Sequence, residues 1–194
     1  MIIMNLLMNR IAQLHDFTDY ELKLIRFYVT GILYDITKML AIGIFFYCIG
    51  RFPEFLFTLI PLLFLRKNTG GYHLKTYWTC FLASFIYFIL AGIVLPSTVP
   101  TGLSWMQLTL LVCVWIIYYI GPISSNREIN LNKEQLHRVH IHSFQIVFVI
   151  SVLLFLFPDT KYLTVSFWTV VLHSIQLIIT KMKKRGENNE KVFG

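Results

Sequence analysis

Six apolar runs divide this chain, at roughly 29–50, 52–65, 80–96, 105–120, 143–157 and 163–180, and the connections between them alternate between basic and nearly uncharged. Runs of this kind satisfy their backbone polar groups internally only as helices when they meet hydrocarbon. Composition agrees: 56% of the 194 residues are hydrophobic and 14% charged, where a soluble domain carries about 25% charged residues. The length suits one membrane-embedded domain over residues 1–194. Several runs fall below the ~20 residues that cross a hydrocarbon core. Run 52–65, with Pro53, Glu54 and Pro61, fits a tilted span, a span of thinned bilayer or half of a re-entrant hairpin. The expected fold is all-α: a polytopic membrane protein with about six transmembrane or re-entrant helices and an N-terminal amphipathic helix.

That first helix is read from Met4, Leu7, Met8, Ile11 and Leu14, which recur at helical spacing with Asn5, Asn9, Arg10 and Gln13 between them. Such a pattern lies on a membrane surface or packs on the protein's own core. No basic cluster precedes it and no small-residue site follows, so it does not read as a cleavable signal. Thr18 followed by Glu21 resembles a capping box and predicts a helix start there.

Basic residues orient the chain. Residues 1–31 hold Arg10, Lys23 and Arg26; loop 66–79 holds Arg66, Lys67 and Lys75; loop 121–142 holds Arg127, Lys133 and Arg138. The tail 181–194 adds Lys181, Lys183, Lys184, Arg185 and Lys191. These are fourteen of the seventeen Lys and Arg residues, and the alternate connections hold only Arg51 and Lys161. Six crossings then place both termini, the amphipathic segment 1–28 and loop 66–80 on the cytoplasmic face, where thiols stay reduced.

The polar loop RKNTGGYHLKTYWTC, residues 66–80, carries the chemistry. His73 precedes Cys80 by seven residues, and together a thiolate and an imidazole cut peptide bonds covalently. In one straight helix the pair would stand about 10.5 Å apart along the axis, so the backbone between them must bend, which Gly70 and Gly71 permit. Thr79 is placed to cap a helix starting at Cys80, whose positive dipole end favours thiolate. Arg66, Lys67 and Lys75 add to that field. A lone Cys/His pair is by itself a weak signal, and the residues alone fit a plain cytoplasmic turn with a solvated histidine and an interfacial cysteine more readily than a catalytic pair.

The segment resembles the signature of the accessory gene regulator B family, membrane cysteine endopeptidases that process quorum-sensing propeptides in Gram-positive bacteria. Arg66, the turn ending at Gly71, His73 and Cys80 carry the match, and the GPISSNREI stretch at 121–129 extends it. The resemblance implies that His73 and Cys80 are the catalytic pair and that Arg66 and Gly71 support activity. Ser84, one turn after Cys80, and Asn68 are candidates to orient His73. It further implies a cyclising cut: Cys80 attacks a short AgrD-type propeptide with His73 as base and then acid, and a thiol or hydroxyl of the bound peptide resolves the thioester to a (thio)lactone. Water must be excluded meanwhile. Backbone N–H groups at the helix start suit the oxyanion. Localisation in the bacterial cell membrane and a homodimer are family-level expectations.

Lys67 and Lys75 are expected to meet an acidic propeptide tail, although basic loops also set topology and meet anionic membrane lipid. Nucleic acid is not expected as a partner, since no binding motif accompanies the charge. No cofactor or metal is expected: Glu134, His137, His140 and His142 offer one Glu-x-x-His fragment where a di-metal site needs two. Cys48 and Cys113 read as small apolar-run residues. Asp35 and Lys38 suit a helix lock or a substrate contact, His173 a hydrogen-bonded packing residue, and Trp78, Trp105, Tyr118 and Tyr119 interface residues. The competing class is a transporter or export partner for a small peptide, using Asp35, Lys38 and His173, but no inverted repeat supports it.

Overall fold

The computed structural model describes residues 18–71, 76–99, 102–124, 133–158 and 160–193. Its order is α1 Asp19–Cys48, α2 Phe52–Thr69, β1 Gly70–Gly71, α3 Tyr77–Thr98, α4 Leu103–Ile120, β2 Ile123–Ser124, α5 Lys133–Leu156 and α6 Lys161–Phe193. The expected all-α fold is therefore found, with one two-residue parallel bridge pairing Gly70 with Ile123 and Gly71 with Ser124. Among the described residues five helices, all except α2, are long and apolar enough to cross a membrane. The amphipathic helix expected over residues 4–14 lies outside the described residues.

Residues 1–45 and 46–194 form two compact units. In the first, α1 starts under the capping box: the Thr18 N–H donates to Glu21 Oε2 at 2.9 Å and the Glu21 N–H to Thr18 Oγ1 at 3.4 Å. Asp35 and Lys38 form an ion pair of 2.6 Å with the lysine buried, so the helical i,i+3 spacing supplies the partner that an apolar run requires.

The second unit begins where α1 ends. Gly50 takes φ +70° while its N–H reaches Tyr47 O (3.0 Å) and the Arg51 N–H reaches Phe46 O (2.9 Å). This is a Schellman ending, and only glycine adopts that φ without cost. The core is built from α2, α4, α5 and α6 around Leu65, Met106, Leu110, Cys113, Val147, Leu154, Phe167 and Leu177.

Run 52–65 is an 18-residue helix that packs mainly on α6 and α5. Pro61 removes the N–H that would bond Phe57 O, and Ser166 Oγ donates to that carbonyl instead at 2.9 Å. A neighbouring hydroxyl thus repairs the helix. The helix also outruns its apolar sequence. Asn68 Nδ2 donates to Phe64 O (3.1 Å) and Thr69 Oγ1 to Leu65 O (2.8 Å), while Arg66 and Lys67 occupy the last turn, where cations favour the helix C-terminus. Gly70, at φ +76° and ψ −162°, stops it.

Candidate functional site

α3 carries Cys80. The preceding residue pattern was expected to start this helix at Cys80 under a Thr79 cap, and the structure corrects that. The N-cap position is Thr76, with extended backbone and no side-chain capping bond. Thr79 Oγ1 donates to Thr76 O at 2.9 Å, and the Cys80 N–H already makes a helical bond to Thr76 O at 3.1 Å. A threonine inside the first turn bonds back to the chain behind it as readily as it caps. Cys80 is therefore the fourth helical residue. Helical side chains lean toward the N-terminus, so its thiol still overlies the first turn, whose N–H groups lack intrahelical partners. Its own N–H is not available to an oxyanion.

The helix presents Cys80 inward. Cys80, Ser84, Tyr87 and Ala91 recur at i, i+4, i+7 and i+11, with Cys80 and Tyr87 half-buried and Ser84 and Ala91 buried, while Trp78, Leu82 and Ile86 form an exposed stripe. Below Cys80 a groove of about 280 Å³ runs between α3 and α6, lined by Ala83, Tyr87, Leu90, Gln176, Thr180 and Lys183 among others.

The expected break in helical structure is present at both ends of the loop: β1 follows α2 directly and Thr76 is extended. β1 is held by β2, so the GPIS part of the 121–129 stretch backs the glycine pair. Gly121 permits this. A Cβ there would stand 3.0 Å from Ile117 O and 3.5 Å from Thr69 Cγ2. His73 and Lys75 lie outside the described residues.

Adjacent basic residues diverge. The Arg66 Nε is buried without a hydrogen-bond partner among the described residues, within electrostatic reach of Tyr87 and His173. Lys67 and Asn68 instead line a groove toward α5. The Ser84 side chain is buried in the inward stripe. Gly71 is fixed by its pairing with Ser124.

Three polar residues near this end were not singled out as site residues by sequence reasoning: Thr69, Tyr87 and Gln176. Thr69 Oγ1 lies 2.7 Å from His173 Nε2 with both residues buried, which is the hydrogen-bonded packing role expected of His173. Tyr87 donates to Thr169 O at 2.8 Å. Helical spacing from Cys80 was the available signal for Tyr87; nothing in the sequence pointed Thr69 toward a residue 104 positions away.

The described ends of loops 66–79 and 121–142 meet at one end of the second unit, beside Lys181 of α6. Besides the strand pairing, His140 Nε2 stands 3.5 Å from Gly121 O, and Lys181 Nζ donates to Tyr119 O at 3.3 Å. At the opposite end Lys161 Nζ reaches the buried Glu54 carboxylate at 3.3 Å.

Fold and site define a class: a multi-pass α-helical membrane protein with a thiol at an inward-facing helix start, after a glycine break, on its basic face. The chain belongs to the accessory gene regulator B family, which it matches over residues 4–177. It is similar to Protein FsrB of Enterococcus faecalis, 25% identical over 166 residues that cover 80% of this chain. The match spans 64% of that relative's length, less than two thirds. It is also similar to an AgrB-like protein of Clostridium beijerinckii, 24% identical over 172 residues covering 87% of this chain and 84% of that one. No solved structure matches it.

Proposed function

We propose that this protein is a membrane cysteine endopeptidase that cuts a short AgrD-type quorum-sensing propeptide and closes the product into a ring. Family membership supports the substrate class. The observation that carries the chemistry is the position of Cys80: fourth residue of α3, on the inward stripe, behind an extended glycine break. A thiol over the first helical turn feels the positive end of the dipole, which favours thiolate.

In this reading the Cys80 thiolate attacks the scissile carbonyl and His73 carries the proton to the leaving amine. First-turn N–H groups other than that of Cys80 stabilise the oxyanion. The acyl group then leaves the Cys80 thioester for a thiol or hydroxyl of the same peptide, which releases the Cys80 thiol and closes the ring. The groove between α3 and α6 starts one turn from Cys80 and is mostly apolar, which suits a peptide strand kept from water. The basic face is the cytoplasmic one, as positive-inside bias requires.

The test is cleavage of a propeptide by purified protein in vesicles. Cys80→Ala should insert normally and cut nothing, while Cys48→Ala and Cys113→Ala stay active. Wild-type cleavage by Cys80→Ala sinks the assignment.

A further inference from the structure

A groove larger than the one beside Cys80 lies elsewhere in the second unit. It lies between α2 and α5, holds about 630 Å³, and gathers its polar lining at one end apart from Ser166, whose hydroxyl is bonded to Phe57 O. Lys67, Asn68, His142 and Gln145 form that end. Phe57, Ile60 and Phe64 of α2 face Val149, Ile150 and Leu153 of α5 along the rest. From the geometry we infer that this groove holds an acyl chain of one anionic phospholipid, with the phosphate at Lys67 and His142.

Length supports the assignment. From Phe57 to Lys67 is ten helical residues, about 15 Å at ~1.5 Å each. From His142 to Leu153 is eleven, about 16 Å. One leaflet of a ~30 Å hydrocarbon core is about 15 Å deep. A chain running down the groove therefore ends near the bilayer midplane with its headgroup level with the basic loop.

Charge supports it too. The polar end carries an exposed lysine and an exposed imidazole, and no carboxylate among the described residues lines the groove. The His142 Nδ1–H donates to Gln145 Oε1 at 3.2 Å, which orients the ring; in the imidazolium form Nε2–H is the second donor, for a phosphate oxygen. The groove between α4 and α5 is nearly as large, about 550 Å³, but no Lys or Arg among the described residues lines it. Arg66, one residue before Lys67, lies within electrostatic reach of Tyr87 and His173. The two basic residues thus serve different sites.

Native mass spectrometry of the full-length protein, released from vesicles of equal phosphatidylglycerol and phosphatidylcholine, tests this. One phosphatidylglycerol should be retained with roughly fivefold preference, the effect of one lysine at an anionic surface. Lys67→Gln should retain a lipid without preference. Val149→Trp, from an exposed position on one wall, and Ile60→Trp, on the other, should each lose the bound lipid. A photoactivatable acyl chain on phosphatidylglycerol should label residues 57–64 and 146–153. Equal retention of both lipids by the wild type, or unchanged preference in both tryptophan variants, overturns the proposal. So does crosslinking of the groove to residues 1–17 or to a propeptide in place of lipid.

Discussion

Thr69 Oγ1 and His173 Nε2 stand 2.7 Å apart in the core, joining the last residue of α2 to the middle of α6. The hydroxyl has one proton and donates it to Leu65 O at 2.8 Å, so His173 donates Nε2–H to Thr69. That assignment leaves Nδ1 as a buried acceptor without a partner among the described residues. The pair fixes the residue immediately before the glycine break. His173→Phe should destabilise the protein by about 1–3 kcal/mol, because Thr69 loses a buried partner. Thr69→Ser keeps the hydroxyl and should unfold near the wild-type temperature. Thermal unfolding in detergent compares them; equal loss in Thr69→Ser and His173→Phe contradicts the role given to this bond.

Gly70 predicts a second effect. Its φ of +76° with ψ of −162° falls in a region that is nearly glycine-only, where other residues cost about 1–3 kcal/mol. Gly70→Ala should lower propeptide cleavage strongly while the protein still inserts, because strain at this residue moves the loop and not the core. Cleavage by Gly70→Ala at the wild-type rate would show that the backbone turn does not position the chemistry.

Much of this was legible in the sequence. The capping box at Thr18–Glu21, the Asp35–Lys38 pair and the break after Thr69 are local, and local chemistry decides them. Helix ends were misplaced where polar residues satisfy one another inside a helix. Asn68 and Thr69 extend α2, Thr79 bonds back to Thr76, and α5 begins at Lys133 within what reads as loop. Long-range partners left no trace. Ser166 mends the Pro61 gap, Lys161 meets Glu54 and Ile123 pairs with Gly70 across separations that no periodicity encodes.

Gly121 should be as intolerant as Gly70 for a different reason. Its φ is ordinary, but an added Cβ meets a backbone oxygen, Ile117 O, at 3.0 Å and the Thr69 side chain at 3.5 Å. Backbone does not yield cheaply, so Gly121→Ala should cost about 1–3 kcal/mol and loosen the β1–β2 pairing. Hydrogen exchange at Gly70 and Gly71 should rise in this variant; unchanged exchange there would separate Gly121 from the loop.

Orientation is tested by labelling intact cells with a membrane-impermeant thiol reagent, in a background lacking Cys48, Cys80 and Cys113. Thr98→Cys and Thr160→Cys should react, and Asn68→Cys and Asn188→Cys should not. Reaction at position 68 from outside reverses the orientation and removes the cytoplasmic site.

The Glu54–Lys161 pair gives an asymmetric prediction. The carboxylate side chain is 8% exposed and the ammonium side chain 70% exposed, at 3.3 Å. Removing the lysine leaves a buried charge without its partner, whereas replacing the glutamate with its neutral isostere removes the charge itself. Lys161→Ala should therefore destabilise more than Glu54→Gln, by about 1–3 kcal/mol against 1 or less. The double variant should be no worse than Lys161→Ala alone, since the stranded charge is gone, and a double-mutant cycle isolates the coupling. Because the pair lies at the end of the helices opposite Gly70 and Cys80, none of these variants should change the cleavage rate once the protein is folded. Equal effects of the two single substitutions would mean that Glu54 is solvated in the membrane-bound protein and that the pair contributes little.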